Sequence, residues 1–339
     1  MVKTISAEKA LNLKDAFFID TRTPKEFSKD NIPGSINYPI FSDEERRIIG
    51  TLYKQNQDKA FEEGLKIYES KVANFIEEYK KLNPKNPIIV YCWRGGLRSE
   101  TITKLIDGLG YDVYQLIGGH KAYRALVREG LQTYKPPFKL IVLQGLAGCG
   151  KTDLIKAITP SIDLEDLAGH RSSLFGAIGL NPCTQKMFES KLWEVLQKLK
   201  NEKVVFIEGE AKKIGDIYIP NNLFEVMKKS SIVEIQTPIK QRVKRIVRDY
   251  FTHDEDKQIK EIILKLKIQL SNKAVERLHQ LVDKKDYEPV AEHLLVNYYD
   301  DLYNHANKNI KYAYTIKNNS IVKAVEELQK FAKQKDNLR

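Results

Sequence analysis

Ile88-Ile89-Val90-Tyr91-Cys92-Trp93-Arg94-Gly95-Gly96-Leu97-Arg98-Ser99 is the stretch that decides the first half of the fold. Four apolar residues predict a buried strand, and a thiol stands at its end with two glycines and two arginines behind it. Gly95 and Gly96 let successive backbone N–H groups curl into an anion-binding nest. A helix opening after that nest favours thiolate over thiol, and the thiolate is the nucleophile. A plain core cysteine before a turn is the bland alternative, but it needs neither the glycines nor Arg94 and Arg98. Cys92 is therefore the candidate nucleophile, with Arg94, Gly95, Gly96 and Arg98 as its anion loop.

Outward from this loop, Phe17 to Asp20, Ile36 to Tyr38 and Val113 to Ile117 read as further strands, the last closed by Gly118-Gly119. Helical segments lie between them, which predicts a parallel sheet covered on both faces. Between Phe41 and Leu82 a long charged stretch holds no strand candidate and reads as a solvated helical insertion. Tyr134-Lys135-Pro136-Pro137 breaks the pattern and predicts a linker between domains spanning 1–134 and 138–339. Two domains also suit 339 residues. In the second domain Phe138 to Gln144, Val204 to Ile207 and Ser231 to Gln236 read as strands, with helices at Gln185 to Leu199 and Leu223 to Lys229. Beyond Pro238 the chain reads as mostly helical and charged, with an edge strand over Ile310 to Ile316.

Composition narrows the class. With 42% hydrophobic and 30% charged residues the chain reads as globular and soluble. Three scattered cysteines, an odd number, argue against a disulfide framework and a zinc site. No apolar stretch has the length of a signal peptide core or a membrane span, so a cytoplasmic protein with no membrane partner is expected. The formal net charge of +11 fits a polyanionic partner.

A second anion site follows the strand ending at Gln144. Gly145-Leu146-Ala147-Gly148-Cys149-Gly150-Lys151-Thr152 satisfies G-x4-G-K-[ST] in the strand-to-helix context that a phosphate cradle needs. Gly145, Gly148 and Gly150 let amides face the phosphates, Lys151 adds a point charge, and Thr152 can reach a magnesium ion. Cys149 reads as a small filler. Glu208 and Glu210 end the next strand and are candidates for a water-bridged metal contact or a base. Ala168 to Ser173 reads as a loop that either closes over the phosphates, through His170 and Arg171, or serves as a surface loop with a helix cap at Ser172.

Several segments of the first domain resemble the rhodanese fold: Asp20-Thr21-Arg22, Pro24-Lys25-Glu26-Phe27, Asn31-Ile32-Pro33-Gly34-Ser35, the Cys92 loop and Leu116-Ile117-Gly118-Gly119. The resemblance implies that Cys92 accepts a chalcogen, that Arg94 and Arg98 hold an anionic donor, and that Asp20 and Arg22 brace the loop. One departure matters. Arg98 lies six residues after Cys92, giving Cys-x5-Arg, a spacing similar to cysteine phosphatases, whose wider loop encloses a tetrahedral phosphate. A phosphate-like donor therefore suits the loop better than a thiosulfonate.

A rhodanese-like domain joined to a P-loop domain resembles the tRNA 2-selenouridine synthases. Leu167-Ala168-Gly169-His170-Arg171, Gln185-Lys186-Met187-Phe188-Glu189, Lys212-Lys213-Ile214-Gly215 and Tyr218-Ile219-Pro220 carry the likeness onward. It covers about the first three-quarters of the chain. It implies replacement of sulfur by selenium in a wobble 2-thiouridine, with selenophosphate and geranyl diphosphate as co-substrates and no tightly bound cofactor. The Lys151 loop would then hold the diphosphate and the Cys92 loop the selenophosphate. Lys240, Arg242, Lys244, Arg245 and Arg248 share one predicted helix, and coupled to such a family they read as tRNA backbone contacts. Tyr91 and Trp93 read as packing around the loop, with stacking on an unstacked base as their alternative use. Other classes stay open at this point: a rhodanese-type cysteine phosphatase, a sulfurtransferase fused to a P-loop kinase or ATPase, and a binding module with vestigial sites.

Overall fold

The computed structural model describes residues 2–81, 85–251 and 255–337. The chain divides into two compact units, Met1–Thr133 with Glu189–Glu194, and Tyr134–Phe188 with Val195–Arg339. Among the described residues no helix is long and apolar enough to cross a membrane.

The first unit is built on five strands: β1 (Thr4–Ile5), β2 (Phe17–Asp20), β3 (Ile36–Asn37), β4 (Ile88–Tyr91) and β5 (Val113–Leu116). Their order is β1-β5-β4-β2-β3 and every pairing is parallel. All four residues of β4 are buried, as a strand covered on both faces requires. Ile89 sits opposite Phe18 on one side and Tyr114 on the other, so β4 is central and Cys92 leaves the sheet from its middle. β1 has no counterpart in the sequence reading, because two residues carry no period.

The expected solvated insertion needs correcting. Its helices, Asp43–Gln55 and Gln57–Lys80, each begin at a side-chain cap: Ser42 forms a reciprocal capping box with Glu45, and Asn56 accepts from the Lys59 amide. Ile49, Phe75 and Tyr79 from these helices are buried in the same core as Ile88, Val90 and Ile102. One face of the helical pair is thus a wall of the core, and only the other faces solvent. The end of the charged stretch, at Leu82, lies outside the described residues.

In the second unit β6 (Lys139–Gln144), β7 (Ser161–Ile162), β8 (Val204–Glu208), β11 (Ser231–Gln236) and β12 (Tyr314–Lys317) form an all-parallel sheet ordered β12-β11-β6-β8-β7. A small antiparallel hairpin, β9 (Lys213–Ile214) and β10 (Ile217–Tyr218), stands apart from it. β12 begins later than the sequence predicts, so Ile310 to Ala313 lead into the edge strand without joining it. Ala324, Leu328 and Phe331 of the last helix (Ile321–Asn337) pack with Ile141, Leu143, Phe206 and Val233. The helices after β11 enclose a second core around Ile259, Ile263, Leu278, Val282, Val290 and Leu294. Central β6 delivers the glycine-rich loop as central β4 delivers Cys92, both at the carboxyl ends of strands where open α/β sheets place ligands.

Candidate active sites on two anion loops

The Cys92 loop closes between β4 and the helix Leu97–Gly108, whose N-cap is Gly96. Gly95 has φ +67°, and a Cβ there would lie 2.6 Å from the Leu116 carbonyl oxygen. Gly119, at φ +58°, faces the loop from the other side, and a Cβ on it would meet the Cys92 carbonyl oxygen at 2.3 Å. Gly96 differs: its φ is −101° and a Cβ there meets nothing within 4 Å. The nest therefore depends on Gly95 and on Gly119, which the sequence reading treated only as a strand terminator.

Cys92 itself is 4% exposed. The Gly96 amide donates to its Sγ at 3.3 Å, and the Ser99 hydroxyl lies 3.3 Å from Sγ. Gln115 Nε2 donates to that hydroxyl at 3.0 Å, which orients its proton away from Gln115. Burial alone would push the Cys92 thiol up; the Ser99 hydroxyl, the Arg98 charge and the Ser99 and Gly96 amides outweigh it, so the thiol titrates below its usual range. Arg98 Nη1 donates to Glu26 Oε2 at 3.1 Å. Burial would raise the Glu26 carboxyl, and Arg98 with the Thr23 amide reverses that and holds it ionised. Arg94 is exposed on the rim.

Asp20 and Arg22 form a buried pair, with Nη2 2.6 Å from Oδ2 and a second bond to the Asp30 carbonyl. The intervening Thr21 hydroxyl donates to the Tyr91 carbonyl just before the thiol, which is the bracing place the resemblance implied. Tyr91 is fully buried, its hydroxyl accepting from the Ile32 amide, and has no face to offer a base. Trp93 is 38% exposed and its ring lies tilted against His120.

At the second loop Lys151 Nζ donates to the Gly145 carbonyl at 3.2 Å and stands 5.8 Å from the Tyr303 ring centroid. Burial would lower the Lys151 ammonium; Cys149, Tyr303, Glu210 and Glu165 together more than reverse it, and it stays charged. Cys149 is a buried filler. A cavity opens here, lined by Gly148, Gly150, Lys151 and Thr152 and also by the apolar Phe175, Ile246, Phe251, Ala291, Leu294 and Leu295. Gly145 is not among the residues lining this cavity; it lines a separate one with Gln236, Thr237 and Asn307.

Glu165 escaped the sequence reading. It lines the cavity and accepts from Thr152 Oγ1 at 3.2 Å. Its carboxyl is pushed up to about 8, by burial first and then by the nearby Glu210 charge. Of the two carboxylates expected at this site, Glu210 lines the cavity. Glu208 is not among its lining residues: it is fully buried and accepts from the Glu165 amide at 3.2 Å. Among the described residues no three or more His, Cys, Asp or Glu are grouped to hold a metal by themselves.

The loop at 168–173 divides in the same way. Arg171 lines the cavity, with its guanidinium 5.0 Å from the Tyr250 ring centroid. His170 turns away, its ring set against Gly176 and Gly215, and burial lowers it below the usual imidazole range. Ser172 caps no helix; its φ is +26° and it faces the cavity.

The basic helix is observed at Ile239–Tyr250, and its expected RNA face needs correcting. Arg242 is 4% exposed, spanning Asp300 (Nη1–Oδ2 3.0 Å) and the Ala147 carbonyl (2.8 Å). Arg245 donates to the Cys149 carbonyl at 3.2 Å and pairs with Asp153 at 3.4 Å, and with Arg248 it lines the cavity. Arg248 is more exposed but also engages Asp153 and Asp249. Lys240, Lys244 and Arg248 are the exposed members of the five. The helix buries its Arg242-Val243 face against the helical core, and the amphipathic pattern alone does not show that one arginine goes with it.

Comparison with known proteins agrees with this division. The family model described as a rhodanese-like domain matches residues 5–126, and that described as the tRNA 2-selenouridine synthase AAA domain matches residues 138–263. Among solved structures, a rhodanese-related protein from Thermoplasma volcanium aligns over 38% of this chain and 93% of its own, at 22% identity and a TM-score of 0.23. A tRNA 2-selenouridine synthase of Sulfurovum sp. (strain NBC37-1) is 31% identical over 84% of this chain and 80% of its own length. That of Pseudomonas syringae pv. syringae (strain B728a) is 35% identical over 74% of this chain and 70% of its own. With both domains matched and identity sustained over that length, the chain belongs to the tRNA 2-selenouridine synthase family.

Proposed function

We propose that this protein replaces sulfur by selenium at C2 of a wobble 2-thiouridine in tRNA, through an S-geranylated intermediate made from geranyl diphosphate, with selenophosphate as the selenium source. The observation that carries the reading is the cavity at Lys151. Its lining joins the glycine-rich loop, Lys151, Arg171 and Arg245, which suit a diphosphate, to apolar Phe251, Leu294 and Leu295 of the helical core. A nucleotide would put a ribose and a base against those walls, whereas a prenyl diphosphate puts hydrocarbon there.

In the first transfer the thiouridine sulfur attacks C1 of the geranyl group. The C1–O bond breaks, the diphosphate leaves with the electron pair, and the uridine N3 proton passes to water. Lys151, Arg171 and Arg245 line the cavity where charge gathers on the leaving group. Magnesium, when bound, would neutralise diphosphate charge; Thr152 with Glu165 and Glu210 offers the hard oxygen donors it prefers. In the second transfer selenium of selenophosphate attacks C2, and geranylthiol leaves. The Cys92 loop, shaped for a tetrahedral anion, is the place for selenophosphate. Lys240, Lys244 and Arg248 are left as the basic-helix contacts to tRNA phosphates.

The test is incubation of Lys151→Ala enzyme with thiolated tRNA and geranyl diphosphate, followed by nucleoside mass analysis. Loss of geranylation by roughly 100-fold or more is expected, on the scale of deleting one transition-state charge contact. Geranylation at the normal rate overturns the assignment of that cavity. Hydrolysis of ATP stimulated by tRNA would favour the kinase or ATPase reading instead.

A further inference from the structure

Selenium delivered by selenophosphate still carries its phosphoryl group after it has attacked C2. Something must then cleave a P–Se bond, and the proposed function does not say what. Attack of a thiolate on selenium would expel phosphorus two electrons richer, at the phosphite level, and would require an oxidant to restore phosphate. Attack on phosphorus expels selenium with the electron pair and needs no redox partner.

The Cys92 loop has the parts for the second route. Arg98 lies six residues from the thiol, the spacing that accommodates a tetrahedral phosphoryl group, and its guanidinium is held beside the loop by Glu26. The Gly96 amide donates to Sγ, and the Ser99 hydroxyl has Sγ at 3.3 Å and the Gly96 carbonyl at 3.0 Å as acceptors for its proton. Donors on a thiolate matter most when that thiolate must later leave, and a sulfur acceptor that keeps its cargo has no such need. The leaving selenium of a selenouracil is an acidic, delocalised group that departs without a general acid. No carboxyl is found in hydrogen-bond contact with Sγ among the described residues, consistent with such a leaving group.

We propose that Cys92 is a phosphoryl acceptor: it attacks phosphorus of an Se-phosphorylated uridine on tRNA and frees the 2-selenouridine. The S–P bond forms as the P–Se bond breaks, and selenium takes the electron pair. Water then attacks phosphorus, the S–P bond breaks, the Cys92 thiolate is regenerated, and inorganic phosphate leaves. Arg98 holds the phosphoryl oxygens, and Ser99 stabilises the departing thiolate in the second step. This inference rests on the proposed function and deepens it.

The experiment uses the full chain, S-geranylated tRNA and selenophosphate, quenched with denaturant at neutral pH, with mass analysis of nucleosides and of the Cys92 peptide. Wild-type enzyme should carry a phosphoryl group on Cys92. Ser99→Ala should accumulate it, with a burst of selenouridine equal to the enzyme present and slower turnover after. Cys92→Ala, checked for an unchanged melting temperature, should release geranylthiol but stop at a nucleoside bearing both selenium and a phosphoryl group, at least about 100-fold slower to proceed. Selenium found on Cys92, selenouridine made by Cys92→Ala at the wild-type rate, or no geranylthiol released by that variant overturns the proposal. Absence of geranylthiol release by the wild type would instead overturn the reading on which it rests.

Discussion

The two anion loops are built alike and tuned apart. Each leaves a central parallel strand, β4 or β6, and runs into a helix through glycines at positive φ. What differs is the charge set around the anion. At Cys92 the Arg98 charge helps hold the thiol below its usual range, and Glu26 pairs with the arginine. At Lys151 the cation shares its cavity with Glu165 and Glu210 and with apolar residues of the helical core. The first arrangement suits a group that forms and breaks a bond to the protein. The second suits a leaving group held electrostatically while its hydrocarbon tail is kept out of water. On the proposed function, one backbone solution to anion binding serves covalent and non-covalent chemistry, and the side chains at its rim decide between them.

The sharpest way to break the comparison is through the glycines. Gly119→Ala places a Cβ against the Cys92 carbonyl and should abolish selenium incorporation, while geranylation, which the proposal assigns to the other loop, continues. Gly96→Ala meets open space and should change selenium incorporation less than about threefold. If both substitutions behaved alike in the nucleoside assay, the geometric distinction between them would be worthless.

A smaller effect is expected from Arg242→Met. It leaves Asp300 and the Ala147 carbonyl without their shared cation, a loss of about 3–5 kcal/mol in the second unit, read by denaturant unfolding. The affinity for tRNA, measured on protein that remains folded, should hold, because a buried arginine touches no phosphate.

The smallest effect concerns acid and base. Glu165 has a folded-state value raised to about 8, against roughly 4.3 when unfolded. The folded form therefore keeps a proton that the unfolded form sheds over that window. The stability this contributes is fully present below the unfolded value and is lost as pH rises through about 8. Thermal melts from pH 6 to pH 9 should fall for the wild type, and Glu165→Gln should flatten that fall.

Much of the Cys92 site was legible because its chemistry lies in eight contiguous residues, where spacing alone states the geometry. The Lys151 loop was legible for the same reason. Glu165 was not. It belongs to a five-residue helix, Leu164–Ala168, after the two-residue β7, and it reaches Thr152 only because β7 pairs with β8 and Glu208 holds the Glu165 amide. The burial of Arg242 was equally hidden, since its partner Asp300 lies 58 residues on. Helices 43–55 and 57–80 misled for a different reason: their charge is real, and a sparse apolar face of Ile49, Phe75 and Tyr79 suffices to seal the sheet. Where a contact depends on strand order or on a distant partner, local pattern carries no trace of it.

Glu26 Oε2 accepts from two donors at once, the Thr23 amide at 3.1 Å, closing the capping box of the helix Pro24–Lys29, and Arg98 Nη1 at 3.1 Å. If the proposed phosphoryl group draws Arg98 away from Glu26, that oxygen is left to the Thr23 amide alone. That amide should become slower to exchange with solvent deuterium each time the loop fills. The first turn of a surface helix thereby serves as a gauge of occupancy at a thiol far along the chain.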